Sequence, residues 1–110
     1  MEDQNELKII MGLIINGGNA KGAAVEAIRA AKRSDFATAQ EKLDQADRFL
    51  KAAHDSQTNL LSDEADGKPH QVSLLLIHGQ DHLMNAITFR DLAAEIIELY
   101  QQLGDFKDSK

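Results

Sequence analysis

The chain has 110 residues, of which 43% are hydrophobic and 27% are charged, and its 18 acidic and 12 basic residues give a formal net charge of −6. These values predict one soluble globular domain over residues 1–110, and the absence of cysteine excludes disulfides, thiol catalysis and Cys-ligated zinc. No cluster of Lys and Arg is dense enough to bind the phosphate backbone of a nucleic acid. No apolar run is long enough to span a bilayer, and the acidic N-terminal residues are unlike a signal peptide. We therefore expect a cytoplasmic protein that neither binds nucleic acid nor inserts into a membrane.

The first predicted helix covers about residues 3–32. Asp3 and Glu6 have the spacing of a capping box, which is typical of a helix N-terminus. Apolar residues then recur at intervals of three and four from Leu7 to Ile28, the period of an amphipathic helix.

Four glycines interrupt this first helix: Gly12, Gly17, Gly18 and Gly22. They are compatible with a helix break at residues 16–19, or with a continuous helix whose small face lets a neighbouring backbone approach closely. We favour the continuous helix because alanines at 20, 23 and 24 extend the small face. A phosphate-binding loop is disfavoured, since the G-x-x-x-x-G-K-[ST] pattern is absent and no strand precedes the glycines.

The second predicted helix covers about residues 35–61. Basic residues end the helix before it, and Ser34 or Asp35 is expected to cap the new one after a tight connection. Its apolar residues recur at i+3 and i+4, which indicates one buried face. Residues 62–70 are polar and contain a glycine and the single proline, so we expect a loop there.

The third predicted helix covers about residues 71–103, with Gly104 as its stop and residues 104–110 as a frayed tail. Three helices with short connections predict an all-α fold, an antiparallel three-helix bundle. Leu74 to Ile77 cover most of the circumference of the third helix, so at least one of these side chains points outward. An apolar side chain exposed on the surface of this helix favours oligomerisation through it.

A cluster of polar residues interrupts the apolar pattern of the third helix: His78, Gln80, Asp81 and His82. The two imidazoles are one helical turn apart, with Asp81 on nearly the same side as His78. Polar groups in an apolar setting need pairing or a function. The two other histidines, at 54 and 70, have no such setting and are interpreted as core or surface residues without a function in a site.

Three kinds of chemistry could use this cluster. His78, Asp81 and His82 could share one metal ion, although H-x-x-D-H lacks the Glu of the zinc-protease pattern and a further ligand would be needed. General acid–base chemistry would need a deep pocket, which a narrow bundle does not offer. Covalent catalysis could use an imidazole as the nucleophile towards phosphorus. The residues alone do not separate the metal site from covalent catalysis.

The segment His78 to Met84 reads HGQDHLM and matches the pattern H-[AG]-Q-D-H-L-M. The resemblance to a known family extends over roughly residues 10–103. Besides this segment it rests on four stretches: GLIINGG at 12–18, DFATA at 35–39, AH at 53–54 with QT at 57–58, and IELY at 97–100. On these residues the chain resembles the IIA proteins of the lactose/cellobiose (also chitobiose) class of the bacterial phosphoenolpyruvate-dependent sugar phosphotransferase system.

The resemblance implies a homotrimer of three-helix subunits, a nine-helix bundle. It implies that His78 accepts phosphate on Nε2 from the histidine-containing phosphocarrier protein and passes it to a cysteine of the IIB protein. It also implies that the Asp81 side chains of three subunits meet at the trimer axis around one Mg²⁺. Three converging carboxylates would repel one another without a cation or shared protons, and oxygen ligands suit Mg²⁺.

Three further expectations concern the details of this function. His82 and Gln80 are expected to stabilise the phosphate, His82 more strongly because of its i+4 position. Gly79 either leaves space beside the nucleophile or permits close helix packing. Cellobiose or a related β-glucoside is the first guess for the sugar, ahead of lactose or chitobiose. The alternative function is a helical metal-binding module that uses His78, Asp81 and His82.

Overall fold

Three long helices make up the computed structural model, which describes residues 4–109. They are α1 (Gln4–Lys32), α2 (Phe36–Ala65) and α3 (Leu74–Asp108). They form an elongated molecule of 64 × 21 × 19 Å, and residues 4–109 contain no β-strand. The predicted all-α fold is thereby confirmed. The predicted capping residue Asp3 lies outside the described residues.

The helices run up, down and up. Leu13, early in α1, belongs to the same core cluster as Leu60, late in α2, and Leu83, early in α3. A second cluster at the other end joins the last alanines of α1 to Ala39 of α2 and Ala93 of α3. The helix α2 therefore runs antiparallel to both α1 and α3, as expected for a three-helix bundle.

The helix α1 is continuous through its glycines and forms the centre of the packing. Its buried small residues are Gly17, Ala20, Ala23, Ala24, Ala27, Ala30 and Ala31. Because these side chains are small, α1 packs closely against both of the other helices, which contact each other less. The prediction of a continuous helix with a small packing face is confirmed.

The connection between α1 and α2 is the predicted tight turn. Asp35 rather than Ser34 is the N-cap, since its Oδ1 accepts a hydrogen bond from the backbone N–H of Thr38 at 3.2 Å. Ser34 takes the left-handed conformation, with φ 63°, that reverses the chain.

Two predicted helix bounds around the second connection were wrong. The helix α2 continues to Ala65 instead of ending at residue 61, because no helix breaker occurs before Gly67, which has φ 80°. The helix α3 begins at Leu74 instead of residue 71, because Ser73 is its N-cap and its Oγ accepts from the backbone N–H of Leu76 at 3.1 Å.

The predicted stop at Gly104 and the predicted tail at 104–110 were also wrong. The helix α3 continues through this glycine to Asp108. A glycine inside a helix costs about 1 kcal/mol relative to alanine, which weakens a helix without ending it. Gly104 keeps helical backbone, with open space where a side chain would lie.

Large apolar side chains are exposed along one face of α3, which we call the outer stripe. Its members are Leu74, Ile77, Met84, Leu92, Leu99, Leu103 and Phe106. Leu74 is 83% exposed and Ile77 is 53% exposed, so the prediction that part of this apolar run points outward is confirmed. Within residues 4–109, no helix combines the length and the apolar character that a membrane span needs.

Candidate functional site

The two imidazoles of α3 contact each other directly. The Nε2 atoms of His78 and His82 are 3.1 Å apart, and the rings meet edge to face with centroids 4.4 Å apart. A hydrogen bond of this length requires one nitrogen to donate and the other to accept. When His82 carries its proton on Nε2, the Nε2 of His78 therefore has an unprotonated lone pair, which accepts this hydrogen bond.

The backbone of α1 lies directly behind this pair. A Cβ added to Gly17 would lie 3.2 Å from the backbone carbon of His82, and one added to Gly79 would lie 3.3 Å from the Cβ of Leu13. Both glycines thus allow α1 and α3 to pack closely at the imidazole pair. Of the two roles considered for Gly79, the structure supports close helix packing.

The imidazole pair takes part in no ion pair within residues 4–109. His78 is exposed and His82 is half-buried. Within residues 4–109, no carboxylate oxygen lies within ion-pairing distance of either ring. Each imidazole therefore has the other as its side-chain hydrogen-bonding partner, and His78 remains accessible from solvent.

Gln80 lies on the opposite flank of α3. Gln80 follows His78 by two residues, so its side chain lies about 200° away from that of His78 around the helix axis. Its Oε1 accepts a hydrogen bond of 2.8 Å from the Nε2 of Gln57 on α2. It also lines a cavity of about 90 Å³ with Leu60 and Leu76. The structure brings His78 and His82 together, but Gln80 of the same chain does not join them.

Asp81 is exposed on α3 between Ile77 and Met84 of the outer stripe. In the part of the chain that the structure describes, its carboxylate has no hydrogen bond or ion pair. No group of three His, Cys, Asp or Glu side chains there could hold a metal ion. A single ion bound by His78, Asp81 and His82 is therefore not favoured. The oxygen ligands of Asp81 fit Mg²⁺, but one carboxylate per chain would need carboxylates from other copies.

Comparison with known proteins identifies the family of this chain. The family model described as PTS system, Lactose/Cellobiose specific IIA subunit matches residues 8–101. The chain belongs to this family. As a IIA protein it is a phosphotransferase component of the sugar phosphotransferase system, which transfers phosphate through a phosphohistidine.

Three relatives illustrate the match of this IIA protein. The lichenan-specific phosphotransferase enzyme IIA component of Bacillus subtilis (strain 168) is 49% identical over 98 residues, 89% of each chain. The crystal structure of the cellobiose-specific enzyme IIA from Bacillus anthracis superposes with a TM-score of 0.91 at 45% identity, covering 96% of this chain and 95% of that one. A solution structure of the Escherichia coli IIA(Chitobiose)–HPr complex gives a TM-score of 0.79 at 40% identity, covering 94% and 99%.

One polar cluster of this IIA protein, around His70, was not predicted from the sequence. The Nε2 of His70 is 2.8 Å from an oxygen of Asp63, and its Nδ1 is 3.3 Å from an oxygen of Glu6. The hydrogen bond to Asp63 is the largest cause that raises the pKa of His70 above its ordinary value. Desolvation by burial opposes it, and the hydrogen bond to Glu6 adds to the rise. The three residues come from α1, α2 and the connection, and no spacing in the sequence relates them.

Proposed function

We propose that this IIA protein carries phosphate on Nε2 of His78, accepting it from HPr, the histidine-containing phosphocarrier protein, and passing it to a cysteine of a IIB protein. The contact between the Nε2 atoms of His78 and His82 carries this proposal. It joins an exposed nucleophile to a second imidazole that can donate a hydrogen bond, inside a segment that matches the family pattern at every position.

The chemistry follows from the position of one proton. With the His82 proton on Nε2, the lone pair of His78 attacks phosphorus, and the nitrogen–phosphorus bond forms as the bond to the donor breaks. The His82 N–H then turns from the lone pair to a phosphoryl oxygen, where a hydrogen bond to an anion is stronger than one to a neutral group. The next nucleophile displaces the phosphate in the same in-line geometry. Positioning supplies most of the catalysis.

The surface around His78 suits a protein partner. His78 forms a shallow depression of about 450 Å³ with Leu74 and Leu75, and Leu74 is largely exposed. An apolar rim around a polar reactive atom is typical of a surface that a partner covers during transfer. The structural relative solved in complex with HPr supports HPr as the donor. Transfer to a IIB cysteine is the complementary step of the proposal.

We further propose that three copies assemble through the outer stripe of α3. The early members of the stripe and Asp81 are spaced three and four residues apart, as in helices that pack around a common axis. Asp81 would then meet its two copies at the axis, where Mg²⁺ bound by the three carboxylates would neutralise their charge.

The same assembly gives Gln80 a role in the site. In a closed ring, one flank of each subunit faces the opposite flank of the next subunit. The flank with His78 and His82 would therefore face the flank with Gln80 of a neighbouring copy. Gln80 could then stabilise phosphate on a neighbouring subunit's histidine, which it cannot reach in its own chain.

The sugar and the cellular location are the remaining parts of the proposal. The relatives described above carry names with different sugars, at similar identities to this chain. Cellobiose or a related β-glucoside remains our first choice, and transport assays with the cognate membrane component would test it. The proposed location is the cytoplasm.

Phosphorylation from phosphoenolpyruvate tests the central claim. With the two general phosphotransferase proteins, we expect the wild type to take up one acid-labile phosphate per chain. His78→Ala should take up none, whereas His54→Ala, a change of an exposed histidine on α2, should label as the wild type does. Label retained in His78→Ala, or no label on the wild type, would contradict the proposal.

Sedimentation of Asp81→Leu tests the assembly. We expect the wild type to sediment as a trimer that is stabilised by Mg²⁺, because bound Mg²⁺ relieves the repulsion between carboxylates. Asp81→Leu removes that repulsion, so its trimer should be independent of Mg²⁺. If Asp81→Leu sediments as a monomer under all conditions, Asp81 is not part of a cluster of like charges.

A further inference from the structure

A carboxamide pair links α2 to α3 on the flank opposite the two imidazoles. Gln57 Nε2 donates to Gln80 Oε1 at 2.8 Å, and both side chains are half-buried. We propose that Gln57 is a positioning residue that fixes which end of the Gln80 carboxamide faces the phosphoryl group. The phosphoryl group in question is on the histidine of a neighbouring subunit, so this inference rests on the proposed phosphocarrier function and assembly and deepens them.

The orientation of Gln80 matters because a carboxamide has two unlike ends. Its nitrogen donates two hydrogen bonds and its oxygen only accepts. A phosphoryl group on histidine carries negative charge on oxygens that accept hydrogen bonds, so it is stabilised by the amide nitrogen and repelled by the amide oxygen. Without a fixed partner, Gln80 could present either end.

The donor group of Gln57 determines which end of the Gln80 carboxamide is free. With Oε1 of Gln80 engaged by the Gln57 amide, the Nε2 of Gln80 is left to bind another acceptor. Among residues 4–109, no hydrogen-bonding partner is found for this nitrogen. The donor end of Gln80 is therefore available for an anion.

The packing of α2 holds Gln57 in place. Gln57 is four residues after Ala53 and three before Leu60, and both of these residues are buried. Its side chain thus lies on the inner face of α2, where an unpaired polar group would be costly. That cost favours the hydrogen bond to Gln80 over solvation and keeps the carboxamide in one orientation.

Two variants at position 57 separate positioning from simple packing. Gln57→Met removes the hydrogen bond at similar volume, so Gln80 becomes free to rotate. Gln57→Glu replaces the donor by an acceptor that binds the Gln80 amide nitrogen, which turns Oε1 towards the phosphoryl group. We expect phosphoryl transfer through His78 to slow by about 3- to 10-fold in Gln57→Met and by about tenfold more in Gln57→Glu. Neither loss exceeds the roughly 10²- to 10³-fold effect of removing one donor to a developing anion outright, because Gln57 acts only through Gln80.

The matched control is Asn59→Asp, which makes the same amide-to-acid change two residues away at an exposed position of α2. It should transfer phosphate at the wild-type rate. In a Gln80→Met background, both Gln57 variants should have no further effect on transfer, because Gln57 acts only through Gln80. The side-chain amide signals of Gln80 should shift on phosphorylation in the wild type and not in Gln57→Glu.

The possible outcomes separate this inference from the proposed function. If the wild type is not phosphorylated at His78, both fall together. If the wild type is labelled and Gln57→Glu transfers phosphate as fast as Gln57→Met, the inference alone is wrong. The inference would also be overturned if the Gln57 variants slowed phosphoryl transfer equally in the wild-type and Gln80→Met backgrounds, since that would indicate a general packing role for Gln57.

Discussion

The histidines of this IIA protein occupy two contrasting settings. His78 and His82 meet ring to ring on α3, and among residues 4–109 no carboxylate lies within ion-pairing distance of them. His70 is held between two carboxylates, with Asp63 at 2.8 Å and Glu6 at 3.3 Å, and its side chain is only 21% exposed. We call this second group the His70 clamp.

The difference shows how neighbours decide what an imidazole can do. In the His70 clamp both ring nitrogens face acceptors, so the charged ring is favoured and no lone pair is left for attack on phosphorus. His78 has another imidazole at its Nε2, and that partner, as a neutral donor, leaves it the lone pair that a nucleophile needs. The clamp ties the connection before α3 to α1 and α2, whereas the pair is available for chemistry.

The largest effect predicted for the contrast between these two settings comes from giving His78 an acidic partner. His82→Glu would place a carboxylate beside His78, which favours the protonated ring and repels the incoming phosphate. We expect its rate of phosphoryl transfer to fall by on the order of 10²-fold, as when a preorganised donor is lost. His82→Gln keeps a neutral donor and should fall less, by about tenfold. Rapid-quench measurement of labelled His78 would compare the two variants.

A variant of the clamp is the control for this comparison. His70→Ala removes the imidazole that is paired with two carboxylates. It should leave the rate of phosphoryl transfer within about twofold of the wild type, since His70 takes no part in the proposed reaction. Equal rates for His82→Glu and His82→Gln would contradict the view that a neutral partner matters at His78.

Much of the fold could be predicted because it depends on local patterns. The period of three and four residues located all three helices, and the pair Ser34 and Asp35, of which Asp35 is the cap, marked the start of α2. The errors lay at helix ends, where weak preferences compete. The helix α3 continues through Gly104 because the residues on both sides still favour helix over fraying, so one unfavourable glycine does not end it.

The site was predictable only where its residues share one helix. The contact between His78 and His82 follows from their i+4 spacing. The same helical rotation places Gln80 away from His78, and its partner Gln57 depends on how α2 packs against α3. The His70 clamp could not be predicted, because Glu6, Asp63 and His70 meet only through the packing of three separate segments.

A smaller effect is predicted for the stability that the clamp provides. His70→Ala removes two partly exposed ion pairs, each of which contributes about 1 kcal/mol or less. We therefore expect the melting temperature near pH 6 to fall by a few degrees. His54→Ala is the control, because this exposed histidine should leave the melting temperature unchanged.

The stabilisation by the clamp should also depend on pH in a defined direction. The pKa of His70 is raised in the folded chain, chiefly by Asp63 and then by Glu6, above the ordinary value of about 6.5 that applies when the chain is unfolded. The contribution is therefore complete below about pH 6.5 and is lost as the pH rises through the raised pKa of the folded state. The melting temperatures of the wild type and His70→Ala should accordingly converge between neutral and alkaline pH. Asp63→Asn should lower the pKa of His70, read from its ring resonances, more than Glu6→Gln does. A difference in melting temperature that grows with pH would mean that His70 is not held as the charged ring.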